Sequence, residues 1–523
     1  MTKQIKRALI SVSDKTNLLP FAKKLHQCNI EILSTGGTAK VLSDANIPVI
    51  EVSDYTGFPE MMAGRIKTLH PKIHGGLLGR GEIDSTVMKQ HNIPAIDLVV
   101  VNLYPFKQTI EAPDVTIEKA IENIDIGGPT MLRAAAKNYH HVTVVCNPHD
   151  YADIMHKLTD NNSQIDAKTR FTLACKAFAH TAAYEDSIAN YLGSLSPQTE
   201  QPTTEFPTTI NFQFHKAQKM RYGENPHQKA ALYIDKNTNQ KCIANMRQLQ
   251  GKVLSYNNIV DADAALKCLR AFDRPSCVIV KHANPCGVAC SDTLEQAYSN
   301  AFNTDPISAF GGIIACNRSI DKVAAQAIIQ QFVEVIIAPE ITESALTIFA
   351  EKPNIRILIC DDNSLQQNAS FEFKTINGGI LLQAQDNLVT SPDQLQVVTK
   401  RAPSDQELND LSFAWEVVKQ VKSNAIVYAK NNRTLGIGAG QMSRIFSAKI
   451  AIEKATEAKL DIAGSVMASD AFFPFKDAVE FAHNKGITAI IQPGGAMRDQ
   501  AVIDAANQNN VAMVFTGTRH FKH

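Results

Sequence analysis

Hydroxyls and bare glycines gather early in the chain. Ser11, Ser13 and Lys15 follow a first apolar run, and Ser34-Thr35-Gly36-Gly37-Thr38 follows a second, at the start of an expected helix. Hydroxyls, glycine amides and a helix N-terminus suit a phosphate monoester. Either cluster alone reads equally well as a helix cap. Two of them at the carboxyl ends of consecutive parallel strands, where α/β folds bind ligands, favour phosphate. The segment Arg65 to Gly76 then places Arg65, Lys67, Lys72, His70 and His74 in an expected turn-rich stretch, a density a solvated loop rarely needs. Asn102-Leu103-Tyr104-Pro105-Phe106 ends a strand, and Asp125-Ile126-Gly127-Gly128 leads into Arg133 and Lys137. Neither a Walker loop nor the Gly-x-Gly-x-x-Gly fingerprint occurs; Gly436-Ile437-Gly438-Ala439-Gly440 lacks the third glycine in place. Nucleoside triphosphate and nicotinamide chemistry lose ground accordingly.

A second set lies further on. Arg221 to Gln228 includes Tyr222 and His227, and Lys281-His282-Ala283-Asn284-Pro285 sits at a strand end. Adjacent residues on a strand point to opposite faces, so Lys281 and His282 read either as one buried and one solvated, or, in a loop, as two groups on one ligand. The segments Asp305 to Gly312, Lys422 to Asn424, Gly436 to Arg444, Asp470 to Phe475 and Thr518 to Phe521 suit a substrate pocket, although Phe472, Phe473 and Phe475 also read as core. Cys286 and Cys290 are one residue too far apart for the Pro-Cys-x-x-Cys half of a zinc deaminase, and Asn284 stands where its catalytic Glu belongs. They read as buried thiols, with no metal site.

These groups need a scaffold. Short apolar runs at Ala8 to Val12, Glu31 to Thr35, Pro48 to Val52 and Asp97 to Asn102 alternate with helical segments such as Leu18 to Cys28, the pattern of a parallel sheet covered by helices. From Gly193 to Asn211 the composition turns to Pro, Ser, Thr and Gln, which is linker chemistry and places a boundary near residue 200. The expected domains are 1–199 and 200–523, the latter α/β again and long enough for two subdomains. Cys277 to Asn284 faintly echoes Ala425 to Asn432, each a strand entering a polar loop, so duplication and chance both stay open. At about 150 residues per domain, 523 residues predict three or four compact units.

Composition narrows the class. Lys plus Arg and Asp plus Glu are 52 each, so no basic excess exists to bind a polynucleotide. No apolar run approaches the roughly 18 residues that span a bilayer, which predicts a soluble protein without signal peptide or anchor. Ten scattered cysteines suit a reducing cytoplasm.

Ser11 to Lys15, Lys67 to Gly76, Asn102 to Phe106 and Asp125 to Asn138 resemble the inosine monophosphate cyclohydrolase domain of the bifunctional purine-biosynthesis family, a methylglyoxal-synthase-like parallel-sheet domain. The second set of segments resembles the transformylase region of the same family, built from two cytidine-deaminase-like α/β subdomains. The resemblance runs from residue 8 to the C-terminus, and no departure falls on a position with a chemical role. It implies formyl transfer from 10-formyltetrahydrofolate to the 5-amino group of aminoimidazole carboxamide ribonucleotide, then dehydrative ring closure to inosine monophosphate. For ring closure it implies phosphate contacts at Ser11, Ser13, Lys15, Ser34, Gly37, Thr38, Arg65 and Thr68, and chemistry at Lys67, Tyr104, Asp125 and Lys137. For formyl transfer it implies His282 as general base, Lys281 as proton donor to the folate nitrogen and Asn424 as oxyanion donor. Arg221, Tyr222, Lys281, Arg444 and Arg519 would hold the ribonucleotide, with His227 and Gly311 as further substrate contacts. Phe310, Phe472, Pro474, Phe475 and Asp477 would line the folate side. It also implies a cytoplasmic homodimer with transformylase sites shared between subunits, small-molecule substrates only, and no zinc. A monovalent cation is left open. The rival readings are a nucleotide-sensing module, which would need the phosphate loops without Lys67, Tyr104 and Lys137, and a zinc deaminase.

Overall fold

The computed structural model describes residues 3–196, 198–199, 206–235, 242–360 and 371–523. The chain forms two compact units, Met1–Gln213 and Phe214–His523, rather than three or four. The boundary expected near residue 200 falls outside the described residues.

The first unit is built on a parallel sheet of five strands. In chain order these are β1 (Arg7–Val12), β2 (Glu31–Ser34), β3 (Ile50–Glu51), β4 (Leu98–Asn102) and β5 (Thr143–Val145). They lie in the order β3-β2-β1-β4-β5, so the chain winds outward from β1 in both directions. Consecutive residues from Leu98 to Val101 are all buried because helices cover both faces of this strand. Helix α1 (Leu18–Gln27) turns Leu18, Phe21, Ala22 and Leu25 inward at helical spacing. Helix α2 (Gly36–Asp44) follows β2, α3 (Pro71–Leu78) precedes β4, α4 (Gly127–Lys137) precedes β5, and α5 (Ala167–Ser194) closes the unit. The segment expected to be rich in turns is therefore half helix. His70 caps α3 by accepting the Lys72 N–H at Nδ1, Pro71 opens it, and Ile73, Gly76 and Leu77 face the core.

The second unit carries one sheet of twelve strands. Its first half holds β6 (Arg247–Gln250), α6 (Tyr256–Leu269), β7 (Ser276–Lys281), β8 (Asn284–Cys290), α7 (Leu294–Thr304), β9 (Ile313–Cys316), α8 (Lys322–Ile328), β10 (Val335–Ala338), α9 (Glu343–Phe349) and β11 (Arg356–Ile359). Its second half repeats the sequence as β12 (Gln396–Val397), α10 (Asp405–Val418), β13 (Ile426–Lys430), β14 (Arg433–Gly438), α11 (Arg444–Glu457), β15 (Val466–Ser469), α12 (Asp477–His483), β16 (Ala489–Gln492), α13 (Asp499–Gln508) and β17 (Ala512–Phe515). The spatial order β6-β11-β10-β9-β7-β8-β14-β13-β15-β16-β17-β12 reads identically from either end once each strand is matched with the one six later. Antiparallel pairing of β8 with β14 at Ala289 and Arg433 forms the seam. Helices α6 and α10 cover one face along its whole length, while α7 to α9 and α11 to α13 cover the other in two separate cores.

The faint echo in sequence marks this duplication. The β7–β8 hairpin turns at His282 (φ 52°) and Ala283 (φ 57°), and the β13–β14 hairpin at Asn431 (φ 54°) and Asn432 (φ 53°). Each is a two-residue loop with both residues left-handed, the geometry that matches strand twist. Each hairpin also slips register at the same place, between Ile279 and Val280 and between Tyr428 and Ala429.

Helix and strand approach closely beside the seam. A Cβ on Gly436 would lie 2.1 Å from the Ala451 carbonyl oxygen, and one on Gly287 would lie 1.9 Å from that of Ala301. Both obstacles are helix backbone, which cannot swing aside. Gly436→Ala should therefore cost about 3 kcal/mol, the upper end for overpacking, and calorimetric unfolding should show it as a lowered transition. Unchanged stability would mean that α11 lifts off β14 freely.

Candidate functional site

In the first unit a cavity of about 590 Å³ opens at the carboxyl ends of β1, β2 and β4, where the winding direction reverses. Its lining includes Ser11, Ser13, Lys15, Gly37, Thr38, Arg65, Lys67, Thr68, Tyr104 and Asp125. Local hydrogen bonds shape the corner where β1 and β2 end. Asn102 at the end of β4 accepts the N–H of Ser13 at 2.6 Å and of Asp14 at 3.0 Å, which pins the loop after β1. Ser11 and Thr35 hydroxyls meet at 2.9 Å, joining that loop to the start of α2. The Thr38 hydroxyl donates to Val12 O at 3.0 Å, so Thr38 builds the corner through its side chain. Gly36, at φ 43°, passes beneath the Lys67 ammonium, which a Cβ there would approach to 3.5 Å.

Carboxylates hold the cations. Lys67 pairs with Glu60 at 2.9 Å, and Arg65 pairs with Glu122. Asp125 accepts the Gly128 N–H at 2.8 Å at the mouth of α4, and its own N–H donates to the Tyr184 hydroxyl at 2.8 Å. Burial pushes the Asp125 carboxyl above the usual carboxylate range, while backbone hydrogen bonds from Gly128 and Tyr104 pull it partly back. Gly128 is required here, because a Cβ would lie 2.5 Å from Asp125 Oδ2.

Two of the expected residues are not brought to this cavity. Ser34 is fully buried, and its hydroxyl donates to Ile10 O at 2.8 Å inside the sheet. Lys137 is exposed at the far end of α4, ten residues or roughly 15 Å along the helix from Gly127. Conversely, Asn102, Glu60 and Glu122 had no expected role. Asn102 carried a signal in its position at a strand's carboxyl end; the two glutamates lie far from their partners or in ordinary surface sequence.

In the second unit the duplicated halves each bring a loop to the seam. Lys281 ends β7, and its ammonium donates to Phe310 O at 2.8 Å, next to Gly311. His282 is exposed in the turn, which Asp261 fixes by accepting the Ala283 N–H at 2.7 Å. Burial raises the Asp261 carboxyl, partly offset by that hydrogen bond. Asn284 then accepts the Lys422 N–H at 2.9 Å, tying this turn to the Lys422-Ser423-Asn424 loop of the other half. Arg444 at the start of α11 donates from Nη1 to Asn424 Oδ1 at 2.8 Å. The C-terminal segment runs alongside: Ser423 N–H donates to Lys522 O at 2.8 Å and His520 N–H to Asp470 O at 3.1 Å. Phe310, Phe472 and Phe475 are exposed whereas Phe473 is buried, so the aromatic cluster splits between pocket-type and core-type residues. Exposed rings of this kind are stacking surfaces for a flat conjugated ligand. Asp477 opens α12 and Arg498 stacks on Phe475 at 5.0 Å. Arg221, Tyr222 and His227 lie in a turn closed by the Gly223 N–H on Gln228 O at 2.8 Å, with no hydrogen bond described to the groups at the seam.

Cys286 and Cys290 are both buried, and they pack into different cores on opposite faces of the sheet. Burial pushes the thiols up to about 12 and about 11 respectively. The two sulfurs do not converge. Among the described residues no helix is long and apolar enough to cross a membrane.

Known proteins bear on both units. The MGS-like domain family matches residues 17–130. Among solved structures, the crystal structure of ForH is 37% identical over 35% of this chain and 97% of that one, at a TM-score of 0.32. The AICARFT/IMPCHase bienzyme family matches residues 135–454, more than half of the chain. The chain belongs to the AICARFT/IMPCHase bienzyme family, which formylates aminoimidazole carboxamide ribonucleotide with 10-formyltetrahydrofolate as cosubstrate and closes the product to inosine monophosphate.

Proposed function

We propose that residues 1–199 carry ring closure and residues 200–523 carry formyl transfer, each with the site just described. The cavity at the carboxyl ends of β1, β2 and β4 supports this reading most strongly, because it gathers a phosphate corner and a separate set of donors around one nucleotide-sized space. Lys15, Arg65, Thr68 and the amide of Gly37 hold the phosphate, with Ser11, Ser13 and Thr38 shaping the loops around it. Ring closure needs the carboxamide nitrogen to attack the formyl carbon while an oxyanion develops. Lys67 and Tyr104 donate to that oxygen, and Asp125 orients the carboxamide.

In the second site His282 takes the proton of the attacking amine. Lys281 holds the nucleotide and gives a proton to the departing folate nitrogen, and Asn424 donates to the oxyanion. Arg221, Tyr222, His227, Gly311 and Arg519 complete the nucleotide's surroundings, together with the two Arg444 donors left over from its internal bonds. Phe310, Phe472, Pro474, Phe475 and Asp477 face the folate. The protein works in the cytoplasm, in keeping with ten free thiols, as a homodimer with shared transformylase sites. Met442 and Met497, fully exposed in one chain, are in keeping with a partner.

A coupled assay tests the whole reading. Aminoimidazole carboxamide ribonucleotide and 10-formyltetrahydrofolate should yield inosine monophosphate from this protein alone; binding without turnover would make it a sensor instead. Asp125 adds a pH signature. Its ionised form is lost as pH falls through a raised carboxyl value, so ring closure should decline on the acid side at a pH above the ordinary Asp value of about 4. Asp125→Asn should abolish that limb, and an acid limb surviving in the variant would assign it elsewhere.

A further inference from the structure

Asp470 lies just after β15 and is fully buried. An unpaired carboxylate there would be costly, and every bond that satisfies it leads to Asn424. Its Oδ2 accepts the Ser423 hydroxyl, and its Oδ1 accepts the Ala425 N–H at 3.2 Å. These two residues flank Asn424. Oδ1 also accepts Arg444 Nη2 at 2.8 Å, and the same guanidinium reaches Asn424 Oδ1 from Nη1 at 2.8 Å and Ser469 Oγ from Nε at 2.8 Å. Arg444 is itself only 10% exposed at its side chain.

The chemistry of the guanidinium gives this arrangement a direction. Arginine has donors and no acceptor, so it tolerates only the oxygen end of the Asn424 carboxamide. The nitrogen end must then face the other way, where one of its two N–H groups donates to Gln441 O at 2.8 Å. The second N–H is the donor that an oxyanion role requires. A carboxamide free to flip would present its oxygen to the developing negative charge in half of its orientations.

We propose that Asp470 is a positioning residue for formyl transfer: it fixes the backbone on both sides of Asn424 and orients Arg444, which locks the carboxamide with its N–H toward the reacting oxygen. This rests on the reading of Asn424 as the oxyanion donor. Asp470 touches no substrate and acts through Asn424.

The experiment is a double-mutant cycle on the full-length protein, with formyl transfer followed in single turnovers and ring closure as an internal check on the chain. Asp470→Asn keeps the shape and removes an acceptor. It should lower the formyl-transfer rate about 10- to 100-fold, with nucleotide KM moving less than about 3-fold and ring closure unchanged. In an Asn424→Ala background, at saturating nucleotide so that any change in binding through Arg444 is not read, the same change should slow transfer by less than about 2-fold, because its route to the oxyanion is already gone. A loss that multiplies in full on top of Asn424→Ala overturns the positioning role, as does a normal rate in Asp470→Asn. Near-normal transfer in Asn424→Ala alone would instead remove the oxyanion reading, and the inference with it. Should Asp470→Asn fail to fold, Ser423→Ala deletes one bond to Oδ2 and should show a smaller loss, about 3-fold or more, that again vanishes without Asn424.

Discussion

Replacing His282 by alanine should slow formyl transfer about 10²- to 10⁴-fold while leaving nucleotide binding nearly intact. The acceptor amine is conjugated with an imidazole that carries a carboxamide, so its lone pair is delocalised and attacks a formyl carbon poorly. A base must take its proton as the new bond forms, and imidazole ordinarily titrates closest to neutrality. The structure presents His282 at the tip of a tight turn, with the Asp261 carboxylate gripping the next N–H at 2.7 Å, so the backbone beneath the ring has little freedom. Lys281, one residue earlier, points to Phe310 O and Gly311. Lys281→Ala should therefore lose both turnover and nucleotide affinity, whereas His282→Ala should lose turnover alone. Isothermal titration with the nucleotide and single-turnover transfer distinguish the two, and near-normal turnover in His282→Ala would take this residue out of the mechanism.

The second large effect concerns the other site. Lys67→Ala or Tyr104→Phe should slow ring closure about 10²- to 10³-fold, so that the formamido nucleotide accumulates while formyl transfer continues at its normal rate. Lys67 has the sharper argument. Its ammonium lies over the Gly36 turn and is held by Glu60 at 2.9 Å, so the cation is fixed in the cavity wall beside the glycine turn. Chromatography of a timed reaction shows which nucleotide builds up. Equal loss of both activities in either variant would argue for one composite site.

The first sheet was legible because its strands are short, mostly apolar and separated by turn residues, and helices cover both of its faces. The gathering of the first two loops at one cavity was legible for a related reason: hydroxyls and glycines stand where consecutive strands end. Ser34 shows the limit of that argument. It belongs to the right cluster, but as the last residue of β2 it faces inward and spends its hydroxyl on Ile10 O. Lys137 was adjacent in sequence to a chemical motif, and helix geometry carried it away from the cavity. The segment from Arg65 to Gly76 looked turn-rich because its two glycines and a proline are read locally, whereas the burial of Ile73, Gly76 and Leu77 that makes a helix there is tertiary. In the second unit the strands could be read but their pairing could not, since the two halves meet across more than a hundred residues. Asp470 was invisible as anything but part of a motif; its partners Ser423 and Ala425 lie 47 and 45 positions away.

The seam between β8 and β14 also bears on what can be cut from this protein. A half expressed alone would present as its edge the seven residues Asn284–Cys290, nearly all buried in the whole unit, with the N–H and C=O groups on the β14 side unpaired and no charged side chain among them. Exposed apolar edges of this kind recruit other chains, and natural sheets usually guard them with lysine, a bulge or a covering helix. In this chain the guard is the other half. The two halves are thus alike in topology but inseparable in solubility, and a fragment that ends between residues 360 and 390 is expected to aggregate through the surface that in the intact chain carries the seam.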